Sequence, residues 1–109
     1  MIGLTFAFLQ ADAGSQMTLR IERFSTRYGT RIRLSGELRN EQLNDVRTEI
    51  ESSGPQVILD LEELNLVDID AVRFLNAWVD QGVKVVNCSL YIREWMYREQ
   101  KHDQSDDEA

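Results

Sequence analysis

The chain has 109 residues, which is enough for one compact domain and little more. Hydrophobic residues make up 42% and charged residues 28%, a composition typical of a globular protein. The formal net charge of −7 argues against nucleic acid as a partner, because Lys and Arg dominate binding to phosphates. No apolar run reaches the roughly 20 residues of a membrane span, and the single Cys88 has no cysteine partner. We therefore expect a cytoplasmic protein without membrane insertion.

The first sixteen residues precede the well-patterned part of the chain. Residues 2–9 are apolar enough for an edge strand, whereas residues 11–16 are small and polar. We expect residues 1–16 to be a weakly ordered N-terminal extension. Packing of residues 2–9 on the domain, or on a second copy in a homodimer, is the alternative.

Alternation of apolar and polar residues then predicts a β-hairpin. The alternation runs over residues 17–22 and 30–35, and Tyr28-Gly29 marks the turn between them. Residues 17–40 carry six Arg against two Glu. This basic cluster is typical of a solvated sheet face, and a surface that meets an acidic protein is the alternative. Asn40 is a suitable N-cap for an amphipathic helix that ends before Gly54.

The stretch from residue 56 to residue 78 organises the rest of the chain. Residues 57–61 predict a strand buried on both faces, and residues 62–65 a polar loop. A second helix begins near Asp68 and Asp70 and ends at Gly82. Residues 83–86 predict another strand. We expect Ser89 to cap a last helix and residues 101–109 to form an acidic, disordered tail. The predicted fold is α/β, in the order β-β-α-β-α-β-α, with a mixed sheet of about four strands covered by helices.

Catalytic chemistry is missing from the sequence. The only histidine is His102, in the acidic tail, so a nucleophile has no base. The glycines fit no nucleotide-binding spacing, and no thiolate or imidazole cluster could hold a metal. We expect no catalytic residue, no cofactor, no metal site and no enzymatic activity.

The acids at the second helix allow two interpretations. Asp68 and Asp70 suit helix capping, and their negative charges interact favourably with the helix dipole. Alternatively, together with Asp60 they could form a Mg²⁺ pocket similar to the aspartyl-phosphate site of a receiver domain. Receiver domains carry their acidic pair after the first strand, which does not match this order.

Three segments carry a resemblance to a known family. They are Ile32-Arg-Leu-Ser-Gly-Glu-Leu38, then Val57-Ile-Leu-Asp-Leu61 with Leu66-Val-Asp-Ile-Asp-Ala71, and finally Gly82-Val-Lys-Val-Val-Asn-Cys-Ser89 with Ile92-Arg-Glu-Trp95. Together they resemble a STAS domain, the fold of bacterial anti-sigma factor antagonists. The likeness covers about residues 17–98 and implies a STAS-like domain over residues 17–100. It also implies a bacterial signalling module in transcription regulation, which docks on an anti-sigma factor kinase near the start of the second helix.

The chain departs from the family's Asp-Ser-Ser-Gly phosphorylation motif. Asp68 matches the Asp, but Ile69, Asp70 and Ala71 replace the rest, so Asp70 stands at the phosphoacceptor position. The resemblance implies a partner-binding surface formed by Asp68, Ile69, Asp70, Ala71 and Arg73. A STAS-like subunit of a lipid-transport ATP-binding cassette machine, docking on the transport ATPase, is the alternative, and the Mg²⁺-dependent receiver is the second alternative.

Overall fold

The computed structural model describes the backbone of residues 3–10 and 18–108, and the side chains of residues 19–101. Within these residues the chain forms six strands and three α-helices. The strands are β1 (Gly3–Gln10), β2 (Thr18–Thr26), β3 (Gly29–Leu38), β4 (Val57–Asp60), β5 (Leu64–Val67) and β6 (Lys84–Val86). The helices are α1 (Leu43–Glu51), preceded by a 3₁₀ turn (Asn40–Gln42), α2 (Ile69–Asp80) and α3 (Leu90–Glu108). The α/β class is therefore confirmed.

The strands form one mixed sheet in the order β1-β2-β3-β4-β6. The strands β1, β2 and β3 are antiparallel neighbours, whereas β4 pairs in parallel with both β3 and β6. Alternate residues of the central strands, such as Ile32, Leu34 and Leu59, are buried in a single core with residues of all three helices. Because side chains alternate along a strand, Arg31 and Asp60 lie on the opposite face of the sheet.

The third strand divides its pairing between two parallel neighbours. Its first half pairs with β4, and its second half pairs with β5 after a register shift between Gly36 and Glu37. Gly36 adopts a positive φ of 104°, a conformation that glycine enters at little cost. This bulge is what lets the end of β3 lie beside β5, the strand that leads into α2.

The structure corrects the predicted number of strands. The loop expected over residues 62–65 contains the start of β5, a short strand of mixed apolar and polar residues. The segment expected to be a weakly ordered extension contains β1, which pairs along its whole length with β2. Residues 1, 2 and 11–16 of that segment lie outside the described residues.

The start of the first helix and the end of the last helix differ from the predictions. The 3₁₀ turn before α1 has Arg39, not Asn40, as its N-cap, and the Gln42 side chain accepts a hydrogen bond from the Arg39 backbone N–H at 2.9 Å. The last helix continues through Glu108, into the segment expected to be a disordered tail. The sequence after Gly82 contains neither glycine nor proline, so no residue there breaks the helical backbone.

Candidate functional site: the start of α2

Strand pairing brings the ends of β3 and β5 to the same corner of the molecule. Leu38 and Val67 are partners in the parallel ladder, and both are buried. Both strands run in the same direction, so the residues that follow them emerge side by side. The 3₁₀ turn after β3 therefore lies next to the start of α2.

Asp68 is the N-cap of α2 and also joins the two loops of this corner. Its Oδ1 accepts a hydrogen bond from the backbone N–H of Ala71 at 2.9 Å, as a capping residue does. Its Oδ2 accepts another from the backbone N–H of Asn40 at 2.9 Å. Asp70 Oδ2 accepts a third from Asn40 Nδ2 at 3.1 Å. The two carboxylates thus hold one asparagine between them, which keeps the negative charge of the helix start in a defined position.

The predicted partner-binding residues differ in how far their side chains are exposed to solvent. Ile69 is 37% exposed, and Asp70 and Arg73 are exposed beside it. Asp68 is half-buried because its oxygens are used within the corner. Ala71 is fully buried, at 0% exposure, so the prediction that it belongs to the contact surface is corrected: the small side chain packs in the core.

A groove between α1 and α2 continues this corner along the molecular surface. It encloses about 610 Å³ and begins at Asn40 and Asp70. Its apolar lining includes Leu43, Phe74 and Trp78, and the two aromatic rings meet edge to face at 6.3 Å. Apolar surface beside an ordered charged rim is typical of surfaces that bind proteins.

Two arginines, Arg47 and Arg73, contribute to the charged rim of the groove, together with Asp70 and Glu51. The guanidinium of Arg47 lies 5.7 Å from the centre of the Phe74 ring, a cation–π contact. Arg73 Nε donates to Glu99 Oε1 of α3 at 3.2 Å, and the Arg73 side chain remains 61% exposed. These contacts hold the arginines in place while leaving their outer surfaces open.

Asp60 has a structural environment that differs from the one considered for Mg²⁺. The side chain is fully buried, and its Oδ2 accepts hydrogen bonds from Arg31 Nη2 at 2.8 Å and Nε at 3.1 Å. Its Oδ1 accepts bonds from the Glu62 backbone N–H at 3.0 Å and from Asn87 Nδ2 at 3.2 Å. Burial acts to raise the pKa of Asp60, but these hydrogen bonds, the one from Arg31 foremost, outweigh it and hold the pKa below its ordinary value.

The carboxylates therefore do not meet as a metal site. Asp60 bonds to β3 and to the residues after β4 and β6, whereas Asp68 and Asp70 bond to Asn40. Within residues 19–101 no group of three His, Cys, Asp or Glu side chains is placed to hold a metal ion.

Sequence reasoning missed Asn40 as a part of the site and the groove beside it. Asn40 and Asp68 are far apart in the chain, and only the pairing of β3 with β5 joins them. Leu43 and Arg47 are four residues apart, so helical spacing places them on the same face of α1. This shared face was the one indication of the groove in the sequence. The position of that face relative to α2 is a property of the tertiary structure.

The comparisons with known proteins leave the family open. No protein-family model matches the chain, and none of the curated proteins shows significant similarity to it. In the described part of the chain, every helix is too short or too polar to cross a lipid bilayer.

Proposed function

We propose that this protein is a non-catalytic interaction module of the STAS type, similar to the bacterial anti-sigma factor antagonists. It docks on a regulatory protein, an anti-sigma factor kinase or a related signalling protein, through the start of α2. The observation that carries the proposal is the exposed apolar Ile69 beside the exposed Asp70 at the start of α2. Hydrogen bonds from Asn40 to Asp68 and Asp70 hold this helix start against the turn after β3. A surface that is ordered before binding loses little conformational entropy when a partner arrives.

The residues of the corner support a docking surface without a serine switch. Between Gly54 and Cys88 the chain contains no Ser, Thr or Tyr, so hydroxyl phosphorylation has no acceptor there. Asp70 provides a permanent charge of about −1, against about −1.5 to −2 for a phosphorylated side chain. The surface is therefore constitutive, and Asp70 partly imitates the phosphorylated form of a STAS motif.

The groove supplies the second half of the proposed contact surface. A partner that covers Ile69 also reaches the apolar lining formed by Leu43, Phe74 and Trp78. Charged residues around an apolar centre set the orientation of a partner, so Asp70, Arg47 and Arg73 provide specificity more than affinity.

Site-specific photocrosslinking tests this proposal. A photoreactive amino acid at position 69 should capture one defined protein in the native cytoplasm. The same amino acid at position 28 is the matched control, because Tyr28 is 75% exposed and lies at the opposite end of β3. Asp70→Lys should abolish the capture at position 69. Capture of the same protein from position 28 alone, or capture that is indifferent to Asp70→Lys, would contradict the proposed surface.

The identity of the captured protein separates the two docking functions. An anti-sigma factor or a related kinase supports the signalling function. A transport ATPase of an ATP-binding cassette machine would instead assign the same surface to a lipid-transport assembly.

A further inference from the structure

A second cavity lies at the other end of the sheet, away from the start of α2. It encloses about 920 Å³ and is bordered by the β2–β3 turn, the α1–β4 connection and the first residue of β6. The β3 strand of ten residues separates it from Asn40, a distance of about 30 Å at roughly 3.3 Å per residue. A ligand in this cavity would leave the proposed docking surface free.

The charge of this cavity is opposite to that of the chain. The chain contains 19 acidic residues among 109, yet none of the eleven residues that line the cavity is acidic. Two of them, Arg27 and Lys84, are cationic and reach the cavity from different elements, the hairpin turn and β6. A cavity that gathers only positive charge in a protein of net charge −7 favours an anion.

Arg27 and Lys84 also differ from most other cations of the molecule. Six arginines of the described segment form ion pairs with carboxylates. Neither the Arg27 side chain nor the Lys84 side chain forms an ion pair or a hydrogen bond with any residue that the structure describes. Their charges are therefore available to a ligand without breaking an existing contact.

The wall that carries Arg27 is held rigidly. Thr26 Oγ1 donates a hydrogen bond to the Gly29 carbonyl at 2.9 Å and accepts one from the Tyr28 backbone N–H at 3.1 Å. Gly29 has φ of +134°, and a Cβ atom there would lie 2.4 Å from the Gln56 carbonyl oxygen, so only glycine permits this close approach. The turn therefore packs closely against the α1–β4 connection. The cavity needs little rearrangement to bind a ligand.

We infer that this cavity binds a small phosphate monoester. Arg27 supplies a planar fork that matches phosphate oxygens, and Lys84 supplies a compact positive charge. The half-buried Ile58 and the exposed ring of Tyr28 offer apolar contact to the organic part of the ligand. The volume is within the range of about 300–1,000 Å³ that small-molecule sites occupy.

Titration followed by amide NMR spectra tests the inference. Phenyl phosphate and inorganic phosphate serve as probes, and phenol serves as the uncharged control. Saturable shifts are expected at the amides of Gly29, Gly82 and Lys84 with both phosphates and not with phenol, while the amides of Asp68 and Asp70 stay in place. Absence of saturable shifts with both phosphates overturns the inference, as does equal binding of phenol.

Charge variants provide the second arm of the test. Arg27→Gln and Lys84→Gln should each weaken phenyl phosphate binding about tenfold, the loss expected for one charge-assisted contact. Arg27→Lys should retain part of the affinity because it keeps the charge. Arg98→Gln is the matched control, since Arg98 is exposed on α3, outside the cavity. Affinity that survives both cavity variants, or falls equally in Arg98→Gln, overturns the inference.

Discussion

Replacement of the buried Asp60 by asparagine should destabilise the fold by about 2–3 kcal/mol. The carboxylate accepts hydrogen bonds on both oxygens, from Arg31 on one side and from the Glu62 backbone and Asn87 on the other. An asparagine has only one carbonyl oxygen, so its amide must face donors on one of these sides. Hydrogen bonds to charged groups contribute about 1.5–3 kcal/mol each. We expect the loss in free energy of unfolding to lie near the lower end of the sum of these contributions. The reason is that the Arg31 side chain is 40% exposed, so water can solvate it once it is unpaired.

Urea unfolding measured across a range of pH values is the assay. The folded chain holds the pKa of Asp60 below its ordinary value, so the ionised carboxylate stabilises the fold fully at pH values above the unfolded pKa of about 4. That contribution disappears as the pH falls through the lower pKa of the folded state. The difference in free energy of unfolding between the wild type and Asp60→Asn should therefore be constant from about pH 7 to 5 and shrink below about pH 4.

Asp80→Asn is the matched control for this experiment. Asp80 is exposed at the end of α2, where a negative charge opposes the helix dipole, so its neutralisation should leave stability unchanged or slightly raised. A free energy of unfolding for Asp60→Asn within about 0.5 kcal/mol of the wild type would refute the reasoning. So would a difference that persists unchanged into acid.

Four further predictions concern single residues. Asp68→Ala removes the α2 cap and a bond to the neighbouring loop and should lower the free energy of unfolding in urea by about 2 kcal/mol; an unchanged midpoint would contradict the capping role. Asp70→Ser should become a substrate for anti-sigma factor kinases, detected by mass mapping of the phosphate, whereas a phosphate found between residues 54 and 88 of the wild type would contradict the proposed loss of the switch. Gly29→Ala forces a Cβ atom against a carbonyl oxygen at positive φ and should destabilise the fold by at least about 1–3 kcal/mol in thermal unfolding. Burial raises the pKa of the Cys88 thiol, so its alkylation near neutral pH should be slower than that of an unfolded control.

The elements that could be predicted are those with strong local patterns. The hairpin, the buried strand at β4 and the three helices follow from alternation, apolar runs and helical spacing. The Ser89 prediction is similarly local: Ser89 Oγ accepts a hydrogen bond from the Ile92 backbone N–H at 3.3 Å. β5 could not be predicted because its four residues mix apolar and polar side chains, unlike the apolar run at β4, and its partner lies far away in the chain.

The sequence by itself determined the α/β class, the order of most elements, and the absence of a hydroxyl acceptor between Gly54 and Cys88, because these depend on residue types and on spacing within one segment. Tertiary structure alone decided which polar residues meet. It paired Asp68 and Asp70 with Asn40, enclosed Asp60 with Arg31, buried Ala71 and brought the aromatic residues of α2 beside α1. Each of these contacts joins residues that are distant in the chain, and the register of parallel strands and the packing of helices on one sheet face set their distances.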